Sequence, residues 1–227
     1  MEILIVSATR LEIEPLIRHL EDSGIRITDN KFNFNKNNLT ILISGVGMMA
    51  MSYTLGNVLA NNEFGLVIQA GIAGTFDRSI LPGEVVSVVR DRVADLGTEN
   101  ADCSFSDVFE MGLAQSDSEI YDNGWISPIT SDTFYTDLKQ VTSVTVNKVT
   151  GCTNSIEAIK NKYNPDLESM EGAALFYACR MASVPCLQIR SVSNYVEPRN
   201  RQNWQIGLAI ANLNKTLIGY LTELGSL

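Results

Sequence analysis

The side chains in this sequence best suited to chemistry are two carboxylates, an amide and an arginine, each placed where an apolar run gives way to small or polar residues. Glu12 closes Ser7-Ala8-Thr9-Arg10-Leu11-Glu12 after the first apolar run, Glu171 lies within Glu168-Ser169-Met170-Glu171-Gly172, and Arg190 and Asn194 bracket Arg190-Ser191-Val192-Ser193-Asn194. Gly45-Val46-Gly47 and Gly71-Ile72-Ala73-Gly74 follow two further apolar runs. Strand ends of this kind could bind a ligand, because they are concave, present backbone N–H groups and, where side chains are small, admit close approach. Acid–base work must fall to Asp, Glu or their amides. The sequence holds one histidine, His19, which removes Ser-His-Asp, Cys-His and multi-histidine metal designs unless carboxylates or waters replace the imidazoles.

Singly, each feature has a plain structural explanation. Glu12 could be a solvated first-turn residue, Glu171 a stabilising helix N-terminal charge, Asn194 a turn cap, and His19 a surface residue near a helix C-terminus. Gly45-x-Gly47 is short of a full G-x-G-x-x-G and could merely turn the chain. The set carries the functional argument, not any one member.

The elements that must position the set alternate between Val/Ile/Leu-rich runs and helix-period runs, the mark of an α/β layered domain. The pattern predicts a strand at Ile3 to Val6 and then a helix with the stripe Leu11, Leu16, Ile17 and Leu20, in which Pro15 is tolerable only in the first turn. Thr28 to Phe34 and Leu39 to Ser44 look like a hairpin about residues 35–38. A helix from Met48 to Asn61, strands at Leu66 to Ala70 and Val85 to Val89, a strand near Val144 to Val149, and helices from Asn154 to Tyr163 and Glu171 to Ala182 follow. Cys186 to Arg190 is predicted as a strand, Ser191 to Asn203 as a polar loop, and Trp204 to Leu224 as an amphipathic closing helix. The stretch from Asp91 to Asp122 holds nine carboxylates against one base, Arg92, and is expected to be a long surface excursion, functional or covered by a partner.

With 227 residues, 45% of them hydrophobic, the chain can bury one sizeable core, and a single domain over residues 1–227 is the default. Its 17 basic and 26 acidic residues give a net charge of −9 with no basic block, so nucleic acid is not an expected partner. Cys103, Cys152, Cys179 and Cys186 form no C-x-x-C pair and are expected to be free, mostly buried thiols. The short apolar run at the amino terminus carries Glu2 where a secretion signal carries positive charge, and no run approaches the ~20 apolar residues of a membrane span. A cytoplasmic protein with no membrane association is expected.

Ala8-Thr9-x-x-Glu12, Gly45-Val46-Gly47, Gly71-Ile72-Ala73-Gly74, Pro82-Gly83-Glu84, Ala94-Asp95-Leu96-Gly97, Glu168-Ser169-Met170-Glu171-Gly172-Ala173 and Arg190-Ser191-Val192-Ser193-Asn194, in this order, resemble the nucleoside phosphorylase and nucleosidase superfamily over nearly the whole chain. Met170-Glu171 and Ser193-Asn194 are the most specific pieces. Within the superfamily the sequence is most similar to the futalosine hydrolases, nucleosidases of a menaquinone pathway, and then to the methylthioadenosine/adenosylhomocysteine nucleosidases. The resemblance implies an α/β fold of three layers, helices flanking a twisted mixed sheet or distorted barrel. It further implies N-ribosyl hydrolysis of a small-molecule nucleoside by water, without metal or organic cofactor.

By that resemblance Glu12 would activate the water, Glu171 would accept from the ribose hydroxyls while its charge favours a cationic sugar, and Met170 would pack on the ribose. Gly71, Ile72 and Ser193 would line the substrate, and Arg190 would hold a carboxylate or carbonyl from behind. Phosphorylases of the superfamily carry phosphate-holding residues where this chain has Gln69 and Ile72, which favours water over phosphate, with Arg10 the one cation that could weaken the conclusion. Asn194 stands where methylthioadenosine-type enzymes have aspartate. An amide donates hydrogen bonds but delivers no proton, and its two hydrogens suit N7 and a C6 carbonyl, hence hypoxanthine. A benzoate on the ribose side would call for a cation, for which Arg199 and Arg201 are the candidates. A homo-oligomer is expected, with Phe105 or Phe109 available to cover a neighbour's pocket. The competing expectations are an adenine-type or other purine nucleosidase and, from another class, a non-enzymatic ligand-binding α/β protein.

Overall fold

The structure is a computed structural model, and it describes residues 1–129, 134 and 136–225. In chain order the elements are β1 (Glu2–Ser7), α1 (Arg10–Ser23), β2 (Ile25–Thr28), β3 (Lys31–Phe34), β4 (Asn37–Ile43), α2 (Met48–Asn61), β5 (Leu66–Thr75), β6 (Val85–Val93), β7 (Gly97–Glu99), β8 (Phe105–Asp107), β9 (Lys139–Thr145), α3 (Thr153–Tyr163), β10 (Leu167–Ser169), α4 (Gly172–Met181), β11 (Cys186–Tyr195) and α5 (Ile206–Leu224), with a 3-10 turn at Arg201–Asn203.

Side chains alternate across a strand, and here both faces are apolar. On β1 and β5, Ile3, Ile5, Leu66, Ile68 and Ala70 meet α1 and α5 on one side. Leu4, Val6, Val67 and Ala73 meet α2 and α4 on the other. The result is the three-layer α/β/α arrangement that the sequence resemblance implied.

The sheet is mixed, in the order β10-β9-β6-β11-β5-β1-β4-β3-β2, and it closes on itself because β10 also pairs with β5. Strands β5, β11, β6, β9 and β10 therefore form a five-stranded barrel from which β1 to β4 extend as a wing. Strand β5 is the pivot. One of its edges pairs with β11 throughout. The other pairs first with β1, over Leu66 to Gln69, and then with β10, at Gly74 and Thr75. Between those pairings the edge of β5 is open.

Several expected boundaries move. Strand β5 continues through Gly71-Ile72-Ala73-Gly74 instead of ending at Ala70, and β11 continues through Ser191 to Tyr195 instead of ending at Arg190. Strand β9 ends at Thr145, earlier than expected, and the hairpin before residue 44 is a three-stranded meander. The acidic excursion is only partly surface. Its first residue, Asp91, lies in β6 with no exposed area, and the half-buried Arg92 forms an ion pair with the buried Asp107. Phe109 and Phe105 pack on Arg92 and Lys162 of their own chain. Cys179 and Cys186 are buried, but Cys103 and Cys152 are exposed, one in the turn between β7 and β8 and the other at the start of α3.

Helix α1 begins at Arg10, so Pro15 lies in its second turn and not in the first as expected, and the helix must hold Glu12 steady although Pro15 interrupts its backbone donors. Asn214 of α5, fully buried, accepts from Leu16 N–H at 2.9 Å and donates to Glu12 C=O at 2.8 Å, giving two backbone groups of the turn at Pro15 a partner. Its Nδ2 also donates to Ile210 C=O at 2.7 Å. Asn214→Leu is expected to lower stability by roughly 2 kcal/mol, seen as a fall of about 4–8 °C in a thermal melt, because these buried backbone groups lose their partner.

Candidate active site

The open edge of β5 is where the sequence-picked residues gather. Glu12 sits in the first turn of α1, just past the end of β1, and is buried. Its Oε2 accepts from Ser7 Oγ at 3.2 Å, Thr9 N–H at 3.0 Å and Thr9 Oγ1 at 2.9 Å. Its Oε1 accepts from the Ile72 N–H of the open edge at 3.1 Å. Those bonds leave acceptor capacity chiefly on Oε1, facing β5.

Glu171 is the residue before α4, buried, and its Oε1 accepts from Gly47 N–H at 2.9 Å. That N–H is presented by a backbone at φ +94°, a conformation that favours glycine, so the Gly45-Val46-Gly47 turn serves the site rather than only reversing the chain. Burial pushes the Glu171 carboxyl above its ordinary value, and the Glu12 charge acts in the same direction, while the Arg190 charge and the Gly47 N–H oppose.

Arg190, 1% exposed on β11, lies behind the pair. Its Nη1 stands 3.8 Å from Glu171 Oε2, its Nε donates to Gln188 Oε1 at 3.0 Å, and its Nη2 reaches Ser169 Oγ at 3.5 Å. Gly71 shows how tightly these groups converge. A Cβ there would fall against Arg190 Nη1 and 3.1 Å from Glu12 Oε1, so the missing side chain leaves room for the arginine and the carboxylate at one point of β5.

Asn194 follows a bulge in β11 and pairs with Gly74, just beyond the open edge. Its Oδ1 accepts from Ser193 Oγ at 2.7 Å and its Nδ2 donates to Tyr195 C=O at 2.9 Å. One of the two amide hydrogens is thus engaged within the protein, which leaves one, not two, for a ligand. Met170 is half-buried between β10 and α4, beside Glu171. Arg199 and Arg201 are exposed, with the Arg199 guanidinium over the Trp204 ring at 5.3 Å, and among the described residues neither pairs with a carboxylate of the site. Arg10 pairs with Glu14 at 2.7 Å on the outer surface of α1, and His19 packs edge-on against Phe34. Ser7 and Ser169 stood in the sequence motifs without a role of their own, and Gln188 was not signalled at all; Ser7 reaches Glu12 across the turn after β1, Gln188 reaches Arg190 two residues on along β11, and Ser169 reaches Arg190 from β10.

This constellation on a five-stranded barrel defines a class. The chain belongs to the phosphorylase superfamily, whose family model matches residues 2–222. It is 27% identical to the futalosine hydrolase of Streptomyces coelicolor, over 94% of this chain and 92% of that one. It is 32% identical to the futalosine hydrolase of Acidothermus cellulolyticus, over 76% of this chain and 71% of that one. These relatives place it among the futalosine hydrolases. The solved 5'-methylthioadenosine/S-adenosylhomocysteine nucleosidase of Neisseria meningitidis, in complex with methylthio-immucillin-A, superposes with a TM-score of 0.79 over 98% of this chain and 99% of that one at 16% identity, a likeness of fold.

Gly71→Ala is expected to lower turnover about 100-fold with far-UV circular dichroism unchanged, since the added methyl displaces Arg190 and Glu12 together. Turnover equal to the parent's would mean that the two groups do not work at this point.

Proposed function

We propose that this chain hydrolyses the N-ribosyl bond of futalosine, releasing hypoxanthine and dehypoxanthine futalosine, within menaquinone biosynthesis. The observation that carries the mechanism is the placing of two buried carboxylates about Arg190 and Gly71: Arg190 Nη1 lies 3.8 Å from Glu171 Oε2, and a Cβ at Gly71 would fall against Arg190 Nη1 and 3.1 Å from Glu12 Oε1. Breaking a ribosyl C–N bond builds positive charge on the sugar, and a site with surplus negative charge on buried carboxylates stabilises that charge as it forms. Glu12 Oε1 takes the proton of the attacking water. Glu171 accepts from the ribose hydroxyls, Met170 packs on the ribose, and Arg190 holds Glu171 from behind.

Water is the nucleophile. Phosphate would need a cation and free N–H groups at the edge of β5, but Arg10 faces outward to Glu14 and the Ile72 N–H is taken by Glu12. At the leaving group, the remaining Asn194 hydrogen donates to a purine acceptor, which suits a 6-oxopurine whose N7 or O6 develops charge. No described helix is long and apolar enough to cross a membrane. The enzyme acts in the cytoplasm as a homo-oligomer, a reading supported by the adjoining exposed pairs Met49, Tyr53 on α2 and Tyr177, Met181 on α4.

Chromatography of the products from futalosine, inosine and methylthioadenosine tests the proposal. Release of hypoxanthine from futalosine at the highest kcat/KM supports it, a preference for methylthioadenosine makes the chain an adenine-type nucleosidase, and no release from any substrate leaves a binding protein. Glu12→Gln and Glu171→Gln should each lower turnover about 100-fold or more. Because Glu171 must be ionised, kcat/KM should fall as pH drops through a pKa above the ordinary 4.5, and that acid limb should be missing from the residual activity of Glu171→Gln. Asn194→Asp should move preference toward 6-aminopurines, and an unchanged ratio would displace the base from this residue.

A further inference from the structure

Asp91 is a carboxylate with no exposed surface that the proposed chemistry leaves unused. Its Oδ1 accepts from Thr145 Oγ1 at 2.8 Å and from the Arg92 N–H at 2.7 Å, and its Oδ2 accepts from Gln188 Nε2 at 3.2 Å. Two of these partners lead to Glu171. Thr145 Oγ1 itself accepts from the Ala173 N–H at 2.8 Å, in the first turn of α4 two residues beyond Glu171. Gln188 Oε1 accepts from Arg190 Nε at 3.0 Å, and Arg190 Nη1 faces Glu171 Oε2 at 3.8 Å. The residue between, Gly172, is packed so closely that a Cβ would fall against both Asp91 Oδ2 and Gln188 Oε1.

The direction of every bond in this network follows from chemistry. Arginine only donates, so the Gln188 oxygen must face Arg190 and its NH₂ must face Asp91. The Thr145 oxygen is accepting from Ala173, so its one hydrogen goes to Asp91. The Arg92 N–H also donates. Asp91 is therefore surrounded by donors alone, which an ionised carboxylate satisfies and an amide does not. Burial pushes this carboxyl up to about 6, against the Thr145 and Gln188 bonds and the Arg190 charge, so at neutral pH it still accepts at both oxygens.

We propose that Asp91 is a positioning residue for Glu171, clamping through Thr145 the helix start that carries Glu171 and through Gln188 the arginine that faces it. The role assigned to Glu171 rests on the hydrolase reading, and the clamp itself rests on the bonds above.

The test uses the full chain with Asp91→Asn, Thr145→Val and Gln188→Met, alone and with Asp91→Asn combined with each of the others, reading kcat, KM and Tm. Asn at position 91 turns a hydrogen toward a donor and breaks at least one arm. The expected result is a fall in kcat of about tenfold or more in folded Asp91→Asn with KM within about threefold, since a merely structural residue lowers Tm without touching the kcat of the folded protein. Thr145→Val and Gln188→Met should each reproduce part of the loss, and at least one of them should add little in the Asp91→Asn background, because its arm is already broken. Folded Asp91→Asn with kcat within twofold of the parent overturns the proposal, as do fully additive double variants. If Asp91→Asn does not fold, the other two single variants decide, and parental kcat in both overturns it. Should the parent cleave none of futalosine, inosine and methylthioadenosine, the hydrolase reading fails separately. The clamp is then judged by Tm, and additivity of Asp91→Asn with Thr145→Val and with Gln188→Met refutes it.

Discussion

One buried guanidinium, Arg190, stands among three buried carboxylates, Glu12, Glu171 and Asp91, and the layout of the molecule around them answers that imbalance. An ionised carboxylate taken from water without compensation costs several kcal/mol, and one arginine cannot pair with three. The fold supplies the difference as hydrogen-bond donors at fixed points. Thr9 and Ile72 serve Glu12, Gly47 serves Glu171, and Arg92, Thr145 and Gln188 serve Asp91. Most of these are backbone N–H groups at a strand edge or a helix start, where the chain has donors to spare. The surplus of negative charge that remains is unfavourable in the resting protein, and under the proposed hydrolysis it would be complementary to a cationic sugar, so that the imbalance that burdens folding would favour the transition state.

The sheet makes this affordable by changing partners. A regular strand would use the Ile72 N–H in a ladder bond, leaving Glu12 without it. Because β5 leaves β1 after Gln69 and joins β10 only at Gly74, the intervening edge opens beside the end of β1, where α1 begins. The same divergence brings the residue before α4 against the turn before α2. Ligands of open α/β sheets bind where strand order switches, and here the switch also closes the barrel. Asn214 extends the logic to the opposite layer, since it grips the backbone of the helix turn that presents Glu12.

What the sequence disclosed and what it hid divide along the same line. Local pattern was enough for an α/β domain and for the stripe Leu16, Ile17 and Leu20 on α1, although Leu11, expected in that stripe, is exposed; the three layers were implied by the resemblance. Motif resemblance was enough to select Glu12, Glu171, Arg190 and Asn194. Local pattern misplaced the ends of β5 and β11, because glycines and small polar residues ordinarily break strands, whereas here Gly71 is needed inside a strand to admit Arg190 and Glu12. Asp91 was hidden by its neighbours in sequence. It opens an acidic stretch whose composition says surface, and only the register of β6 against β9 and β11 turns it inward toward Thr145 and Gln188. Contacts of that range leave no trace in spacing.

Asn194 shows how a single carbonyl can fix a choice of side chain. The amide lies between the Ser193 hydroxyl and the Tyr195 carbonyl, and the carbonyl can only accept. Flipping the amide would set oxygen against oxygen, so the orientation is determined: Oδ1 toward Ser193, Nδ2 toward Tyr195, one hydrogen free. An ionised aspartate in the same place would face Tyr195 C=O with like partial charge, and would have either to carry a proton or to turn away. A protonated acid is a useful partner for a departing adenine, which must be protonated at N7, whereas a 6-oxopurine can be met by a neutral donor. The backbone beside residue 194 therefore favours the amide before any substrate arrives, so the 6-oxopurine preference proposed above would follow from the local chain geometry as much as from the pocket.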